Sequence, residues 1–408
     1  MKLLLVGTSH RLAPVEVRER VAVDADGAAA LAARLAADGE AVCLSTCNRT
    51  EVYLAAEDPL EADRRATEAL AELAAVDPAE LEPHLYRLQE ETATVHLFRV
   101  AAGLDSLVPG EGEILGQVRT AYEHGKVGPL LDRLFSHALH TGKKVRTNTA
   151  IAESPRTTSS AAAALAAQVF GDLAGAQVAI VGAGEIGTRT ARRLTKRGAS
   201  LSFVANRTQA RGRQLAEELG GAPIQLDRLV DATETTDIVV SSTSSAGYVL
   251  TKDELARALP ARKGRPLLLI DLAVPRDLDP AINELPGCYL YDIDDLEAVV
   301  HETAPGREAE FAKAESIAAA EAERFREWLA ARDVVPTIAS LRQRAEAIRR
   351  GELAKASGRL AGLSERERKA VESLTSQIVN KLLHEPIVRL KEAATAEDRR
   401  GPENRFER

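Results

Sequence analysis

The stretch QVAIVGAGEIGTRTARRL, residues 177–194, constrains the fold more than any other part of the chain. A strand-type run enters Gly182-x-Gly184-x-x-Gly187 and leaves as a helix-type run, the context a dinucleotide fingerprint requires. Gly182 permits the tight turn, Gly184 lets the backbone approach a pyrophosphate, and Gly187 lets helix and strand pack closely. The whole turn, Gly182, Ala183, Gly184, Glu185, Ile186 and Gly187, is therefore the candidate cradle, with the N–H groups of the helix start facing the phosphates. The next strand, LSFVANRT, ends in Asn206-Arg207-Thr208. It lacks the acidic residue that would accept from a ribose 2′-hydroxyl, and Arg207 can pair with a 2′-phosphate, so NADPH is expected over NADH.

The glycine turn sits in a segment, about 158–295, where strands alternate with helices: SSAAAALAAQVFGDL, the fingerprint, DIVVSST and PLLLIDLAVP. Such alternation implies a parallel, doubly wound, Rossmann-like sheet. Residues 1–150 read differently. KLLLVGT, an alanine-rich helix closed by Gly39, the strand pair AVCLST and EVYLAA, a second helix and HLYRLQ give the order βαββαβ. That order predicts a ferredoxin-like α+β core, followed by helices over ETATVHLFRVAAGL, EILGQVRTAYEHGKV and LLDRLFSHALHTGKKVR. From about 305 onward the chain carries no strand signal, and residues 300–395 are expected to be a helical domain. They form long charged helices interrupted at Pro336, with an apolar stripe at Val371, Leu374, Ile378, Leu382 and Leu383. Helices this long and polar must bury a stripe against a partner, and self-association as a homodimer through these C-terminal helices is expected. Residues 396–408 read as a disordered tail. The expected fold class is thus a multidomain α/β protein: a ferredoxin-like α+β domain, a Rossmann-like NADPH domain and an all-helical C-terminal dimerisation domain.

A formal net charge of -8 argues against a general nucleic-acid binder, although HTGKKVRTNT (140–149) is a basic candidate patch. No apolar run approaches the roughly 20 residues a membrane helix needs, and MKLLLVGTSHR reads as a first strand, not a signal peptide. Three cysteines make no disulfide framework and fit a reducing, cytoplasmic setting. No metal site is expected, because no His or Cys pair completes Cys43 and Cys47.

Cys47 stands where an apolar run stops, followed by Asn48 and cationic Arg49, as a thiolate prefers. Cys43, inside the run, fits a buried core position. A thiolate beside a reduced nicotinamide suggests acyl transfer to sulfur, then reduction of the thioester to an aldehyde.

STCNRTEVY, DSLVPGEGEILGQV, VGAGEIG, ANRT, IDLAVPRDLDP, YDIDDL and KLLHEPIVRLKEAA together resemble glutamyl-tRNA reductase, from the first strand to about residue 394. The resemblance implies NADPH-dependent reduction of glutamyl-tRNA to glutamate-1-semialdehyde with release of tRNA, the entry step of the five-carbon tetrapyrrole (porphyrin) route. It makes Cys47 the nucleophile, places Thr46, Asn48 and Arg49 in a glutamate pocket, and adds Ser106, Glu111, Gly112, Glu113 and Gln117 to it. Arg49 can hold a carboxylate as a bidentate pair, and the loop carboxylates suit an α-ammonium group. This chain has Gly112-Glu113 where many bacterial members have Pro-Gln. The resemblance also makes His96 a base for the thiol or an aid to the leaving ribose oxygen, whereas a histidine among apolar helix neighbours is more often structural. Glutamate-1-semialdehyde aminomutase is a candidate partner. Because Cys47 and the glycine turn lie on different domains, a conformational step is expected to join them. The rival readings are an NADP-dependent small-molecule dehydrogenase of the shikimate type and a non-enzymatic NADPH-binding dimer.

Overall fold

The computed structural model describes residues 1–106, 110, 113–153, 158–206, 208–245, 247–296, 308–333 and 335–398. The chain divides into two compact units, Met1–Glu321 and Ala322–Arg408.

The first unit begins with β1 (Lys2–Ser9), α1 (Val15–Val21), α2 (Ala25–Leu35), β2 (Gly39–Ser45), β3 (Arg49–Ala56), α3 (Pro59–Ala74), α4 (Pro78–Leu81) and β4 (Tyr86–Gln89). Its four strands lie in the order β2-β3-β1-β4, every pair antiparallel, the ferredoxin-like arrangement expected. The alanine-rich helix α2 ends at Leu35, and Gly39 opens β2 instead of closing the helix. β1 is buried from Leu3 to Ser9, because both faces of the sheet are covered. Leu4, Val6, Val52 and Leu54 pack on Leu31 of α2 and Leu70 of α3. On the opposite face Tyr53 meets Phe135 edge-on at 5.3 Å. Phe135 belongs to a second helical layer, α5 (Glu90–Ala101), α6 (Glu113–His124) and α7 (Pro129–Asn148). Fully burying one such aliphatic or aromatic side chain contributes about 1.5–3 kcal/mol, and it also fixes register, since a one-residue slip would turn Glu51 and Tyr53 to the wrong face.

The same unit continues with α8 (Thr158–Phe170), β5 (Gln177–Val181), α9 (Glu185–Lys196), β6 (Ser200–Ala205), α10 (Gln209–Leu219), β7 (Ala222–Ile224), α11 (Leu229–Thr233), β8 (Ile238–Ser241), α12 (Lys252–Arg262), β9 (Leu267–Asp271) and β10 (Cys288–Tyr291). The strands are parallel in the order β10-β9-β8-β5-β6-β7, the Rossmann order with its switch point at β5 and β8. The edge strands β7 and β10 are additions to the strands read from sequence.

Two groups of ion pairs tie these halves of the first unit together. Arg276, in the loop after β9, is 7% exposed and donates to Glu16 at 2.8 Å and to Glu19 at 2.8 and 3.0 Å. Arg18 of α1 reaches Asp294 at 2.7 Å.

The remaining helices are α13 (Glu308–Asp333), α14 (Val335–Lys355) and α15 (Glu365–Asp398). Pro336 falls in the first turn of α14, where a missing N–H costs nothing. Within the second unit Leu374, Ile378 and Leu382 are 59%, 47% and 70% exposed, so the apolar stripe of α15 is left uncovered by its own unit. Among the described residues no helix is long and apolar enough to cross a membrane.

Candidate active site

Cys47 and Asn48 are the central residues of the β2–β3 hairpin turn. Ser45 pairs with Thr50, and the Thr46 N–H donates to the Arg49 carbonyl at 2.8 Å. The Asn48 N–H donates to Thr46 Oγ1 at 3.2 Å, and the His10 N–H to the Asn48 carbonyl at 2.9 Å. This bracing holds the half-buried Cys47 thiol at the strand ends. Cys43 is 2% exposed, and burial followed by the charge of Glu51 pushes its thiol up to about 12.

Behind the turn, β3 carries Arg49, Glu51 and Tyr53 on one face, an arrangement dictated by the period of two along a strand. Arg49 is 1% exposed. Its Nη1 donates to Glu51 and to Asp105, both at 2.9 Å, and its Nη2 donates to the Asp105 carbonyl. Arg11 closes on the other oxygen of Asp105 at 2.8 Å. The guanidinium expected to be a free fork for a carboxylate is thus already engaged on its Nη side, and Nε is the nitrogen without a partner among the described residues. Burial works to lower the Arg49 pKa, but Glu51 and Asp105 outweigh it and hold the cation well above its ordinary value.

Glu51 is the hub. Tyr53 donates to Oε2 at 2.6 Å, Tyr86 to Oε1 at 2.5 Å, and His96 Nε2 lies 2.7 Å from Oε1. Burial alone would raise this carboxyl. The charges of His96 and Arg49, with the His96 and Tyr53 hydrogen bonds, hold it well below the carboxylate range instead. Gly7 of β1 makes the cluster possible. It pairs with Glu51 on one side and Tyr86 on the other, and a Cβ there would stand 2.9 Å from Glu51 Cγ. The bare backbone leaves room for the tyrosine hydroxyl to cross to the carboxylate.

A pocket at Cys47 is lined by Thr46, Cys47, Asn48, Arg49, Ser106, Glu113 and Gln117, with Ile114, Thr158 and Ile186. It therefore brings together most of the residues the sequence nominated. His96 is elsewhere, bonded to Glu51. Glu111 and Gly112 lie outside the described residues. Glu113 pairs with Arg189 of α9 at 3.2 Å, and burial followed by Glu185 raises its pKa against the pull of Arg189. Ile186, the second residue of the dinucleotide helix, lines the same pocket as Cys47.

The glycine turn fits a dinucleotide. Gly182 has φ +91°, and a Cβ there would lie 2.4 Å from the Ser242 carbonyl oxygen. Gly184 caps α9 without any side-chain bond, so the first-turn N–H groups remain available to a pyrophosphate. A cleft of about 340 Å³ runs past Gly182, Ala183, Gly184, Asn206 and Thr208. Gly187 is buried, Glu185 and Ile186 line a larger neighbouring cavity, and Ile186 also lines the Cys47 pocket. Arg207 lies outside the described residues. Sequence reading missed Arg211, in the first turn of α10, and the run Ser242–Ser245 after β8, both of which line this cleft. Asp277 anchors the run by accepting from Ser241 Oγ at 2.6 Å and Thr243 N at 2.7 Å. Among the described residues no cluster of three His, Cys, Asp or Glu side chains could hold a metal ion.

The hairpin-turn thiol shares its pocket with the first turn of the dinucleotide helix, a layout open to a dinucleotide-dependent oxidoreductase. Residues 6–149 match the glutamyl-tRNAGlu reductase N-terminal domain, 164–299 the shikimate/quinate 5-dehydrogenase family, and 313–405 the glutamyl-tRNAGlu reductase dimerisation domain. Glutamyl-tRNA reductase of Moorella thermoacetica is 44% identical over 97% of this chain and 91% of its own length. The Myxococcus xanthus enzyme of that name is 45% identical over 96% and 89%. The solved glutamyl-tRNA reductase of Methanopyrus kandleri is 32% identical, covers 98% of each chain and has a TM-score of 0.48. The chain belongs to the glutamyl-tRNA reductase family.

Proposed function

We propose that this chain reduces glutamyl-tRNA to glutamate-1-semialdehyde with NADPH and releases tRNA, through a thioester on Cys47, at the head of tetrapyrrole biosynthesis. The observation that carries the reading is the pocket shared by Cys47 and Ile186, since acyl transfer to sulfur and reduction must occur at the same carbon. The shikimate-type likeness is confined to the nucleotide-binding segment, and a dehydrogenase of that type has no use for the hairpin thiol.

The Cys47 thiolate attacks the ester carbonyl and forms a C–S bond. The C–O bond to the ribose breaks, and the ribose oxygen takes a proton as tRNA leaves. Asn48 is 7% exposed, and its amide oxygen has no partner among the described residues. It suits the substrate's α-ammonium group as a buried acceptor in need of a donor. Arg49 Nε, equally buried and aimed from behind the turn, is a donor for a substrate oxygen, while Glu51 and Asp105 hold the guanidinium still. His96 is then a positioning residue that acts through Glu51. Glu113, Ser106 and Gln117 complete the wall, with Glu111 and Gly112 proposed beside them. Gly182, Gly184, Asn206, Thr208 and Arg211 would hold NADPH, with Arg207 beside the 2′-phosphate; when bound it supplies the hydride that converts the thioester to the aldehyde and frees the thiolate. The ester's activation is kept in the thioester, so no further energy source is required, provided water is kept out.

The division into 1–150 for catalysis, 158–295 for NADPH and 300–395 for homodimer formation is part of the same proposal, supported by the uncovered stripe on α15 and the dimerisation-domain match. So are a cytoplasmic location and hand-over of the labile aldehyde to an aminomutase. Incubation with glutamyl-tRNA, with and without NADPH, tests the activity. Aldehyde should form only with NADPH, and its absence from the complete mixture refutes the reading.

A further inference from the structure

Arg276 and Asp277 are consecutive residues of the loop after β9, and they hold opposite sides of the junction between the two halves of the first unit. Asp277 is 0% exposed and ties down both ends of the loop that follows β8. Its carboxylate accepts from Ser241 Oγ at 2.6 Å, from Thr243 N at 2.7 Å and from Thr243 Oγ1, and its carbonyl accepts from Val249 N at 2.6 Å. Arg276 faces the other way. It closes on Glu19 of α1 through Nε and Nη2 as a bidentate pair, adds its own backbone N–H to that carboxylate at 3.2 Å, and reaches Glu16 through Nη1. α1 is fixed to the Cys47 side. Its Val21 shares a core with Cys43 of β2 and Val52 of β3, the two strands that end at the Cys47 turn. The stretch leading into α1 is tied to that turn by the His10 N–H on the Asn48 carbonyl.

Strand order indicates which part of a dinucleotide the tied loop would meet. Asn206, Thr208 and Arg211, after β6, line one end of the cleft and suit the adenosine half, while the glycine turn after β5 suits the pyrophosphate. The second nucleoside then lies across the switch point, over Ser242–Ser245 after β8. Ser242 also lines the larger cavity that shares Glu113, Gln117 and Ile186 with the Cys47 pocket. We propose that Arg276, through Glu19 on one side and Asp277 on the other, is the positioning residue that sets the nicotinamide end of NADPH against the acyl group on Cys47. Hydride must reach the carbon that sulfur holds, and a misplacement of about 1 Å costs about a hundredfold in rate. The loop over the nicotinamide end and the turn that carries the thiol belong to different sheets. The Arg276–Glu19 pair fixes one against the other, and Asp277 passes that constraint to Thr243 and Val249.

The assignment rests on the glutamyl-tRNA reading but fails separately from it. Glu19→Ala removes the anchor on α1, and Arg276→Met removes the guanidinium from the other side. Deacylation of glutamyl-tRNA without NADPH should stay within about twofold of wild type in both, because neither residue lines the Cys47 pocket. At saturating NADPH, aldehyde formation should fall by about tenfold to a hundredfold. The missing aldehyde should appear as free glutamate, since water can add to the waiting thioester carbon and release the thiol. In the cofactor-free variants, hydrogen exchange at the Thr243 and Val249 amides should quicken by about tenfold. The double variant should be no slower than the worse single, as expected of two residues that form one link. Asp294→Asn breaks the other ion pair between the halves and should leave the ratio of aldehyde to glutamate as in wild type. Equal loss of deacylation and reduction overturns the assignment. So does an aldehyde rate restored by raising NADPH, an unchanged exchange rate, or an Asp294→Asn that behaves like Glu19→Ala. Wild-type protein that forms no aldehyde refutes the function itself, and the assignment with it.

Discussion

Glu51→Gln removes one charge at the point where four side chains converge: Arg49, Tyr53, Tyr86 and His96. Glu51 is 0% exposed and Arg49 1%, so neither charge can turn to water after the substitution. Breaking a buried pair from one side costs about 3–5 kcal/mol, and here the new amide N–H₂ must also face groups that donate. We expect a loss in that range, read as a lower urea midpoint at unchanged slope. The pH dependence supplies a second check. The folded Glu51 pKa lies below its unfolded value of about 4.3, so its contribution is present above that value and is lost as pH falls through the folded one. Between pH 7 and pH 3 the wild-type advantage over Glu51→Gln should shrink by about 2 kcal/mol. A variant within about 1 kcal/mol of wild type at pH 7 would show that the carboxylate is not charged and bonded as described. A constant advantage down to pH 3 would contradict the depressed pKa.

Gly182→Ala should cost about 1–3 kcal/mol in backbone strain and weaken NADPH binding, followed by nicotinamide fluorescence; unchanged affinity would remove the turn from the cofactor site. Burial, with Asp277 adding to it, raises Asp271 to about 7. Its contribution to stability is therefore full at low pH and declines by about 3 kcal/mol between pH 4 and pH 7. Urea midpoints should show wild type falling relative to Asp271→Asn across that window, and parallel curves would refute the shift. Iodoacetamide at neutral pH should mark the Cys47 peptide in the folded protein, while Cys43 and Cys288, 2% and 5% exposed with raised pKa values, react only in denaturant. Labelling of Cys43 at the rate of Cys47 would contradict the burial assigned to it.

The elements legible in the sequence were those whose pattern is local. The strand–glycine–helix order marked the cofactor turn, and the break between AVCLS and EVYLAA placed Cys47 on a hairpin corner. The Glu51 cluster was not legible, because it depends on register: Gly7 must fall between Glu51 and Tyr86 across three strands. Its one local signal was Arg49-x-Glu51-x-Tyr53, charged and aromatic residues at period two inside an apolar strand. Asp105 was hidden for the same reason, being 56 residues from Arg49. Ser242–Ser245 passed as the end of an apolar strand, since only the parallel order of β5 and β8 brings it over Gly182. β7 contains Pro223, which sheet edges tolerate and sequence patterns discount. The nearness of the two halves could not be read at all, since Arg276–Glu19 and Arg18–Asp294 join residues more than two hundred apart.

The central claim is a covalent one, and a trapped intermediate tests it most directly. Glutamyl-tRNA is mixed with excess enzyme without NADPH, quenched in acid, digested and examined by mass spectrometry. The account predicts deacylated tRNA and one glutamyl group, labile to hydroxylamine, on the peptide containing Cys47, and neither in Cys47→Ser. A glutamyl group on another residue, or aldehyde formed with NADPH by Cys47→Ser, would contradict it.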